Sequence, residues 1–370
     1  MLLPSDVTDI PSRRLVAQRL AGGPFASAIE AVHALGAVQS QDYPGAKWAV
    51  GQRVSRTNDA DLDRLFDDGT ILRTHVMRPT WHFVLPQDIR WLIDLTGPRV
   101  RAGMAGRHRA LEMDSDQIAR ASDAFASALV GGHQLTRVEL GEVLRGAGIA
   151  PDGQRLPHFL NNAELDGLVT SGPRRGKEFT YALLEERAPH AQTLDREHAV
   201  VELTRRYFSS HGPAQVSDFT WWSGLTAADA RAGIAGSDGA LAYEKTDGKT
   251  YYFDAAVGQG CGGSGPTAHL LPNFDEYTVG YRDRSAAVHP DRPFDPGLFS
   301  FGSILSNVVL IDGRVRGSWR RVTTAGSVRV EVRLLEALRP SERDALDAAV
   351  EAFGRFLARP VEIRTTLSRA

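Results

Sequence analysis

The chain is poor in cysteine and has no long apolar run, and each shortage excludes a class of protein or site. A single cysteine, Cys261, excludes an intramolecular disulfide framework and a zinc site built on paired cysteines. No apolar run approaches the about 18 residues that a membrane-spanning helix requires. The opening residues, MLLPSDVTDI, carry neither the basic region nor the apolar stretch of a signal peptide. We therefore expect a cytoplasmic protein with no membrane partner.

Lysine is also scarce, occurring only at positions 47, 177, 245 and 249, so few residues are candidates for a Schiff-base nucleophile. The formal net charge is −2, and any binding to nucleic acid therefore depends on local basic patches rather than on the molecule as a whole. The length of 370 residues exceeds the about 250 to 300 residues over which one hydrophobic core usually extends. More than one domain is therefore predicted.

The sequence repeats one pattern three times, in which short amphipathic helices are followed by a β-hairpin. In the first copy, the stretch ILRTHVMRPTWHFVL alternates as two strands that turn at Arg78 and Pro79. The apolar spacing before it predicts helices near residues 13–20, 25–35 and 60–68.

The second and third copies carry clearer local signals. Thr136 is predicted to cap a helix that extends to about Arg145, LPHFLNNAELDGL forms the next helix, and LVTSGPRRGKEFTYALL is a strand, a basic turn and a strand. In the third copy a helix ends near Tyr207, two short helices follow, and LAYEKTDGKTYYFD turns at Asp247 and Gly248. An Asp-Gly pair between alternating strands is a strong hairpin signal.

Helices followed by a hairpin with a charged tip are typical of winged-helix domains, in which a helix enters a DNA groove and the hairpin contacts the backbone. Arg174, Arg175 and Lys177 lie in the basic turn of the second hairpin, where we expect them to contact DNA phosphates. Arg78, at the tip of the first hairpin, is predicted to contact DNA as well. The expected partner is double-stranded DNA.

After about Thr267 the sequence changes to strand-like segments between glycine-rich turns, followed by a helix at about 340–358. We interpret this region as a small antiparallel β-barrel or sheet. The stretch GQGCGGSG, residues 258–265, lacks the lysine of a P-loop and is predicted to be a connector. The predicted fold is α+β, with three tandem winged-helix units and a C-terminal antiparallel β-barrel with a closing helix, at residues 1–110, 111–190, 191–262 and 263–370.

Four further polar residues have both a functional and a structural interpretation. His75 and His82, in the first hairpin, either support a DNA site or fill polar gaps in the core. A metal site is not predicted, because no third ligand occurs at a suitable spacing. Asp275, with Asn273 nearby, either supports the DNA-facing side or forms a buried ion pair with an arginine. Adjacent residues of a strand face opposite ways, so Asp275 and Glu276 make a poor acid/base pair.

Six blocks of the sequence resemble those of a known protein family. They are GAVQSQDYPGAKWAVGQR, RTHVMRPTWHFV, AELDGLVTSGPRRGKEFTYALL, GPAQVSDFTWWSGL, LLPNFDEYTVGYRDR and GRVRGSWRR. In order and approximate spacing they are similar to the bacterial winged-helix DNA-binding proteins that include the AlkZ-like DNA glycosylases. The resemblance implies winged-helix units and a β-barrel arranged around DNA, with hydrolysis of the N-glycosidic bond of alkylated purines. Some members of the family act on bulky or crosslinking toxin adducts at N7 of guanine.

The resemblance also implies that the family's catalytic Gln-x-Gln motif falls on Gln39 and Gln41. The middle residue, usually apolar in the family, is Ser40 here. An N7-alkylated guanine already carries a positive charge as a leaving group, so the attacking water needs orientation more than activation. Amide oxygens can orient a water molecule but cannot accept its proton, and Asp42 is the nearest carboxylate in the sequence. Without the resemblance, two amides at a helix end would be interpreted as partners of backbone groups.

The function expected from the resemblance is a monomeric, monofunctional DNA glycosylase that uses neither a cofactor nor a metal. It would excise N7-alkylated purines, including bulky adducts or interstrand crosslinks, in base excision repair or in self-resistance to a toxin. The alternative is a non-catalytic winged-helix transcriptional regulator, although such regulators usually dimerise through a dedicated helix. A third interpretation, a carbohydrate or nucleoside hydrolase, depends on Asp275 and Glu276 alone.

Overall fold

The computed structural model describes residues 9–256, 265–288, 307–323 and 326–367. They form both helices and β-sheets, so the fold is α+β. Cys261 and most of the predicted connector, residues 258–264, lie outside the described residues. No helix within the described ranges is both long enough and apolar enough to cross a membrane.

The helices and strands have the following bounds. The helices are α1 (Ile10–Ala17), α2 (Ala28–Leu35), α3 (Tyr43–Gly51), α4 (Asp59–Asp67), α5 (Ile89–Ala110), α6 (Ser115–Leu129), α7 (Arg137–Gly146), α8 (Arg155–Leu165), α9 (Leu184–Arg187), α10 (Arg196–His211), α11 (Val216–Ser223), α12 (Ala227–Ala235), α13 (Glu276–Val279) and α14 (Pro340–Leu357). The strands are β1 (Val38–Gln39), β2 (Leu72–Val76), β3 (Thr80–Val84), β4 (Leu135–Thr136), β5 (Val169–Ser171), β6 (Thr180–Leu183), β7 (Leu241–Thr246), β8 (Lys249–Asp254), β9 (Ala268–Leu271), β10 (Val308–Ile311), β11 (Arg314–Thr323), β12 (Val328–Leu334) and β13 (Val361–Leu367).

Three segments of the chain share one order of elements: a helix, a short extended stretch, two helices and a β-hairpin. The first runs from α2 to β3 and the second from α6 to β6. In the second, β4 completes a three-stranded sheet in the order β4-β6-β5. The third runs from α10 to β8, and a single bridge between Ala214 and Tyr252 stands where the other segments have a short strand. The three predicted hairpins are confirmed.

Short-range sequence signals explain where several of these elements begin. The Thr136 hydroxyl accepts the Glu139 N–H, and the Glu139 carboxylate accepts the Thr136 N–H, which forms the capping box that starts α7. Asp247 and Gly248 have φ values of 50° and 73°, the left-handed conformation that a tight hairpin turn between β7 and β8 requires. Both predictions are confirmed.

Helices α3, α5 and α6 and strand β13 were not among the predicted elements. Helix α5 spans 22 residues and contains Pro98, which removes a main-chain donor from the helix interior and is normally a signal for a helix end. Its C-terminal half exposes arginines and glycines, so the apolar periodicity that marks a helix is weak there.

The C-terminal strands form an open five-stranded sheet in the order β13-β12-β11-β10-β9. Among the described residues the edge strands β13 and β9 do not pair with each other, so the predicted closed β-barrel is not found. The sheet is not wholly antiparallel either, because β13 lies parallel to β12. The chain passes through α14 between these two strands and returns to the same end of the sheet, and such a crossover connection is what parallel pairing requires.

The chain divides into two compact units, each with its own core. In one unit the core contains Leu15, Leu271, Tyr277, Val308 and Leu310, and in the other it contains Phe125, Leu129, Leu140, Leu144 and Phe159. The first unit comprises the described parts of residues 1–62, 201–222 and 226–370, and the second comprises 63–200 with 223–225. The finer division into winged-helix units stays a prediction.

Candidate active site

The two glutamines lie in the connection between α2 and α3. Gly36 ends α2 with a φ of 78°, and the chain then extends through β1. Gln39 and Ser40 are buried, whereas Gln41 is exposed. The two amides therefore have different surroundings, and Gln41 is the one that is accessible from solvent.

The predicted supporting residues Asp42 and Asn273 lie together next to this connection. Asp42 is the N-cap of α3, and its Oδ1 accepts the N–H of Gly45 at 3.2 Å. Its other oxygen accepts a hydrogen bond from the Asn273 amide at 3.3 Å. A Cβ on Gly45 would lie 2.7 Å from this Oδ2, so a larger residue at that position would displace the Asp42 carboxylate. Asp42 thus stabilises the start of α3 directly after Gln41.

The Gln39 main chain is held by Glu276, which the sequence reasoning did not assign to the site. The Gln39 N–H donates to Oε1 of Glu276 at 2.8 Å. The other oxygen, Oε2, accepts the indole N–H of Trp222 at 2.9 Å and lies 3.4 Å from Nε2 of His211. Glu276, Trp222 and His211 are all fully buried. An acid within an aromatic stretch such as FDEYTVGY indicates a buried carboxylate that needs donors, and that signal could have identified it.

Asp275 forms the buried ion pair with an arginine that was one of its two predicted interpretations. Both of its oxygens bind the Arg53 guanidinium, and Gln52 donates to Oδ2 at 3.3 Å. The sequence pattern indicated a strand in this region, but that prediction is wrong. Asp275 is instead the N-cap of α13, and its side chain accepts the Tyr277 N–H. Asp275 and Glu276 bind different partners.

In the first hairpin, Arg78 lies at the tip and is partly exposed, whereas both histidines are buried. Nδ1 of His75 is hydrogen bonded to Oε2 of Glu164, and its ring packs against Trp81 with 4.5 Å between centroids and 42° between the ring planes. Nδ1 of His82 lies 2.9 Å from the Thr80 carbonyl oxygen. The structure therefore favours the structural interpretation of His75 and His82.

The basic turn of the second hairpin carries less free positive charge than its sequence indicates. Arg174 pairs with Asp63 at 3.0 Å and with Asp67 at 3.4 Å. Arg175 binds Glu139 at 2.7 Å, and hydrogen bonds from the Thr136 main chain and from Arg175 lower the pKa of Glu139 to about 2. Lys177 is exposed and forms no ion pair with any residue that the structure describes.

The chain is similar in sequence and in structure to known DNA glycosylases. The family described as "DNA glycosylase AlkZ-like" matches residues 32–356, a range that includes Gln39, Gln41 and Glu276. An interstrand DNA cross-link repair glycosylase of Streptomyces sahachiroi is 24% identical over 311 residues, which cover 80% of this chain and 82% of that protein. The solved structure of the S. sahachiroi DNA glycosylase AlkZ is 21% identical, matches with a TM-score of 0.74, and covers 98% of this chain and 100% of its own. That structural likeness establishes a shared fold. Because the family match extends over most of the sequence, the chain belongs to the AlkZ-like DNA glycosylases.

Proposed function

We propose that this protein is a monomeric, monofunctional DNA glycosylase that hydrolyses the N-glycosidic bond of N7-alkylated purines in double-stranded DNA, including purines joined by interstrand crosslinks. The observation that carries the proposal is the Gln-x-Gln motif in a chain of this family. Gln41 is solvent-exposed, and the Gln39 main chain is held by a buried carboxylate. An exposed Gln41 side chain beside a Gln39 residue whose main chain is anchored is suited to a substrate that approaches from solvent.

The chemistry follows from the positive charge of the leaving base. Once the base departs, the remaining task is to stabilise an oxocarbenium-like sugar and to direct water to C1′ from the opposite face. The carbonyl oxygens of Gln39 and Gln41 accept hydrogen bonds from this water, and their NH₂ groups bind phosphate or sugar oxygens. The proton that the water loses passes to solvent once its oxygen has bonded to C1′. Because the leaving group is already activated, this mechanism requires neither a metal nor a cofactor.

A hydrolytic rather than a covalent mechanism is supported by the environment of Lys47, the lysine nearest to the motif in the sequence. It is buried, and its ammonium lies 2.8 Å from Oδ1 of Asp59. A Schiff base requires a free amine that can reach the sugar, and a buried ammonium held in an ion pair is not available for that reaction. Asp42 is engaged as a helix cap, so we assign it a positioning role rather than that of a base.

We propose that the three segments of repeated element order are winged-helix units and that their hairpins contact DNA. The order of helix, short strand, two helices and hairpin supports this assignment. Arg78 and Lys177 are the side chains that we expect to contact phosphates, with a smaller contribution from Arg175, which shares its charge with Glu139. Arg174 is assigned to fold stability because it already pairs with Asp63 and Asp67.

Mass spectrometry of released bases tests the function directly. DNA treated with a panel of small, bulky and crosslinking N7 alkylators is incubated with the wild type and with the Gln39→Ala/Gln41→Ala double variant. We expect base release by the wild type and its loss in the double variant at unchanged DNA affinity. Unchanged release by the double variant would refute the role of the motif. Tight binding to one palindrome without release from any substrate would favour a transcriptional regulator.

A further inference from the structure

We propose that Glu276 is a positioning residue that fixes the main chain of Gln39, and that Trp222 and His211 in turn fix the Glu276 carboxylate. The inference rests on the proposed role of Gln39 and adds the residues that keep its amide in place. None of the three touches the substrate in this proposal. They act through the peptide from which the Gln39 side chain projects.

The geometry accounts for both oxygens of the carboxylate. Oε1 accepts the Gln39 peptide N–H at 2.8 Å, and Oε2 accepts the Trp222 indole N–H at 2.9 Å. Gln39, Glu276 and Trp222 all lie in the interior, so water cannot replace the carboxylate as the partner of either N–H group. A buried carboxylate without hydrogen-bond donors would strongly destabilise the folded protein. Both hydrogen bonds therefore stabilise the fold around Glu276.

Trp222 connects this carboxylate to the beginning of the glutamine segment. Its ring packs in an aromatic cluster, with 5.0 Å to the Tyr207 centroid and 5.4 Å to that of His211. A Cβ on Gly36 would lie 3.5 Å from the far edge of the same indole. The Trp222 indole therefore lies beside the chain near Gly36, and through Glu276 it is linked to the chain again at Gln39.

His211 is the third group next to the Glu276 carboxylate, with its Nε2 3.4 Å from Oε2. The Ser210 hydroxyl has a single hydrogen and lies 2.7 Å from the Arg206 carbonyl oxygen and 2.8 Å from Nδ1 of His211. If Ser210 donates to His211, the neutral ring carries its hydrogen on Nε2, facing Glu276. In that tautomer His211 donates a third hydrogen bond to the carboxylate.

The substitution Glu276→Gln tests this arrangement, because an amide has one acceptor oxygen where the carboxylate has two. That oxygen can face the Gln39 N–H or the Trp222 N–H, but the NH₂ group then opposes the other donor. The measurement is single-turnover excision of 7-methylguanine from a duplex. We expect the maximal rate constant to fall by about 10- to 100-fold, since small displacements of a positioning group have effects of this size. The dissociation constant for DNA should stay within about twofold.

A second substitution should restore the rate if the hydrogen-bond conflict is its cause. In Glu276→Gln/Trp222→Phe the competing indole donor is absent, so the amide oxygen is free to accept the Gln39 N–H. We expect the double variant to be faster than Glu276→Gln by about fivefold or more, despite the cavity that the smaller ring leaves. Tyr277→Phe is the matched control, because it removes the buried hydrogen bonds of the next residue to Pro11 and Gly313. It should lower Tm and leave the rate constant within about twofold.

Hydrogen exchange at the Gln39 peptide N–H gives a readout that does not depend on activity. We expect exchange at this amide to be faster by about 10-fold or more in Glu276→Gln and unchanged in Tyr277→Phe. Glu276→Gln with the rate constant and amide exchange of the wild type would overturn the inference, and so would a double variant as slow as the single one. If the wild type releases no base, the proposed function fails, and amide exchange alone then decides whether Glu276 positions Gln39.

Discussion

Arg53 and Asp275 form a bidentate ion pair in which both side chains are completely buried. The two bonds, Nη1–Oδ2 and Nη2–Oδ1, measure 2.9 and 2.7 Å. The remaining guanidinium hydrogens bind the Gln18 carbonyl oxygen, the Gln18 side chain and the Ala49 carbonyl oxygen. All five donors of Arg53 are therefore used. The pair joins the chain just after α3 to the cap of α13, the short helix that carries Glu276.

Removal of one member of this pair should strongly destabilise the protein. In Arg53→Met the Asp275 carboxylate stays buried without its cation, and we expect the free energy of unfolding to fall by about 3 to 5 kcal/mol. Replacement of both members, Arg53→Met/Asp275→Leu, should recover part of this loss because no charge is left uncompensated. Urea denaturation of the two variants measures the difference. Equal stability of the single and double variants would contradict the argument.

The different burial of the two glutamines predicts different effects on stability. Gln41 is exposed, so Gln41→Ala should change the free energy of unfolding by less than about 0.5 kcal/mol while abolishing base release. Gln39 is buried, and Gln39→Ala should cost about 1 to 2 kcal/mol as well as activity. Denaturation curves with excision assays on the same preparations test this. A Gln41→Ala variant that is both inactive and strongly destabilised would argue that Gln41 serves the fold.

The range over which an interaction acts explains which features the sequence could predict. The Thr136 capping box and the Asp247-Gly248 turn depend on residues within three positions of each other, and both were predicted. The bond from Gln39 to Glu276 joins residues 237 positions apart, and no local pattern specifies such a partner. The resemblance located the glutamines but not Glu276, which binds the Gln39 main chain, because that partner is selected by tertiary packing.

The sequence also overestimates the free positive charge of the second hairpin, because the carboxylates that pair with its arginines are distant in the sequence. A turn with three cations predicts a phosphate-binding tip, yet two of them have carboxylate partners on other elements of the same unit. For Arg174 these are Asp63 and Asp67. The closing strand β13 was missed because a parallel partner is determined by the path of the chain through α14, which periodicity within the strand does not reveal.

Lys177 and Arg174 should therefore behave differently when replaced by alanine. Lys177→Ala should weaken DNA binding, reduce the slope of log K against log salt concentration by about 1, and leave stability unchanged within about 0.5 kcal/mol. Arg174→Ala should leave the salt slope nearly unchanged. It should cost about 1 kcal/mol of stability, because the pair is partly exposed and solvent screens the charges that remain. Fluorescence anisotropy over a salt series measures the slope, and a larger slope change for Arg174→Ala would reverse the assignment.

His269, on β9, should make the protein less stable in mild acid. The ring is partly exposed, but its Nε2 is buried and has no hydrogen-bond partner among the described residues. Burial, together with the nearby Arg53 guanidinium, lowers the pKa of His269 to about 4. An unfolded histidine has a pKa of about 6.5, so between these values the unfolded chain binds a proton that the folded chain does not.

The contribution of His269 is therefore complete above about pH 6.5 and is lost as the pH falls towards 4. The difference in pKa corresponds to about 3 kcal/mol, and partial exposure of the ring reduces the expected loss to about 2 kcal/mol. Carboxylates titrate in the same window, so the informative quantity is the stability of the wild type minus that of His269→Leu, measured by urea denaturation at each pH. This difference should decline as the pH falls from 6.5 to 4. A constant difference would mean that the folded protein protonates His269 as readily as the unfolded chain does.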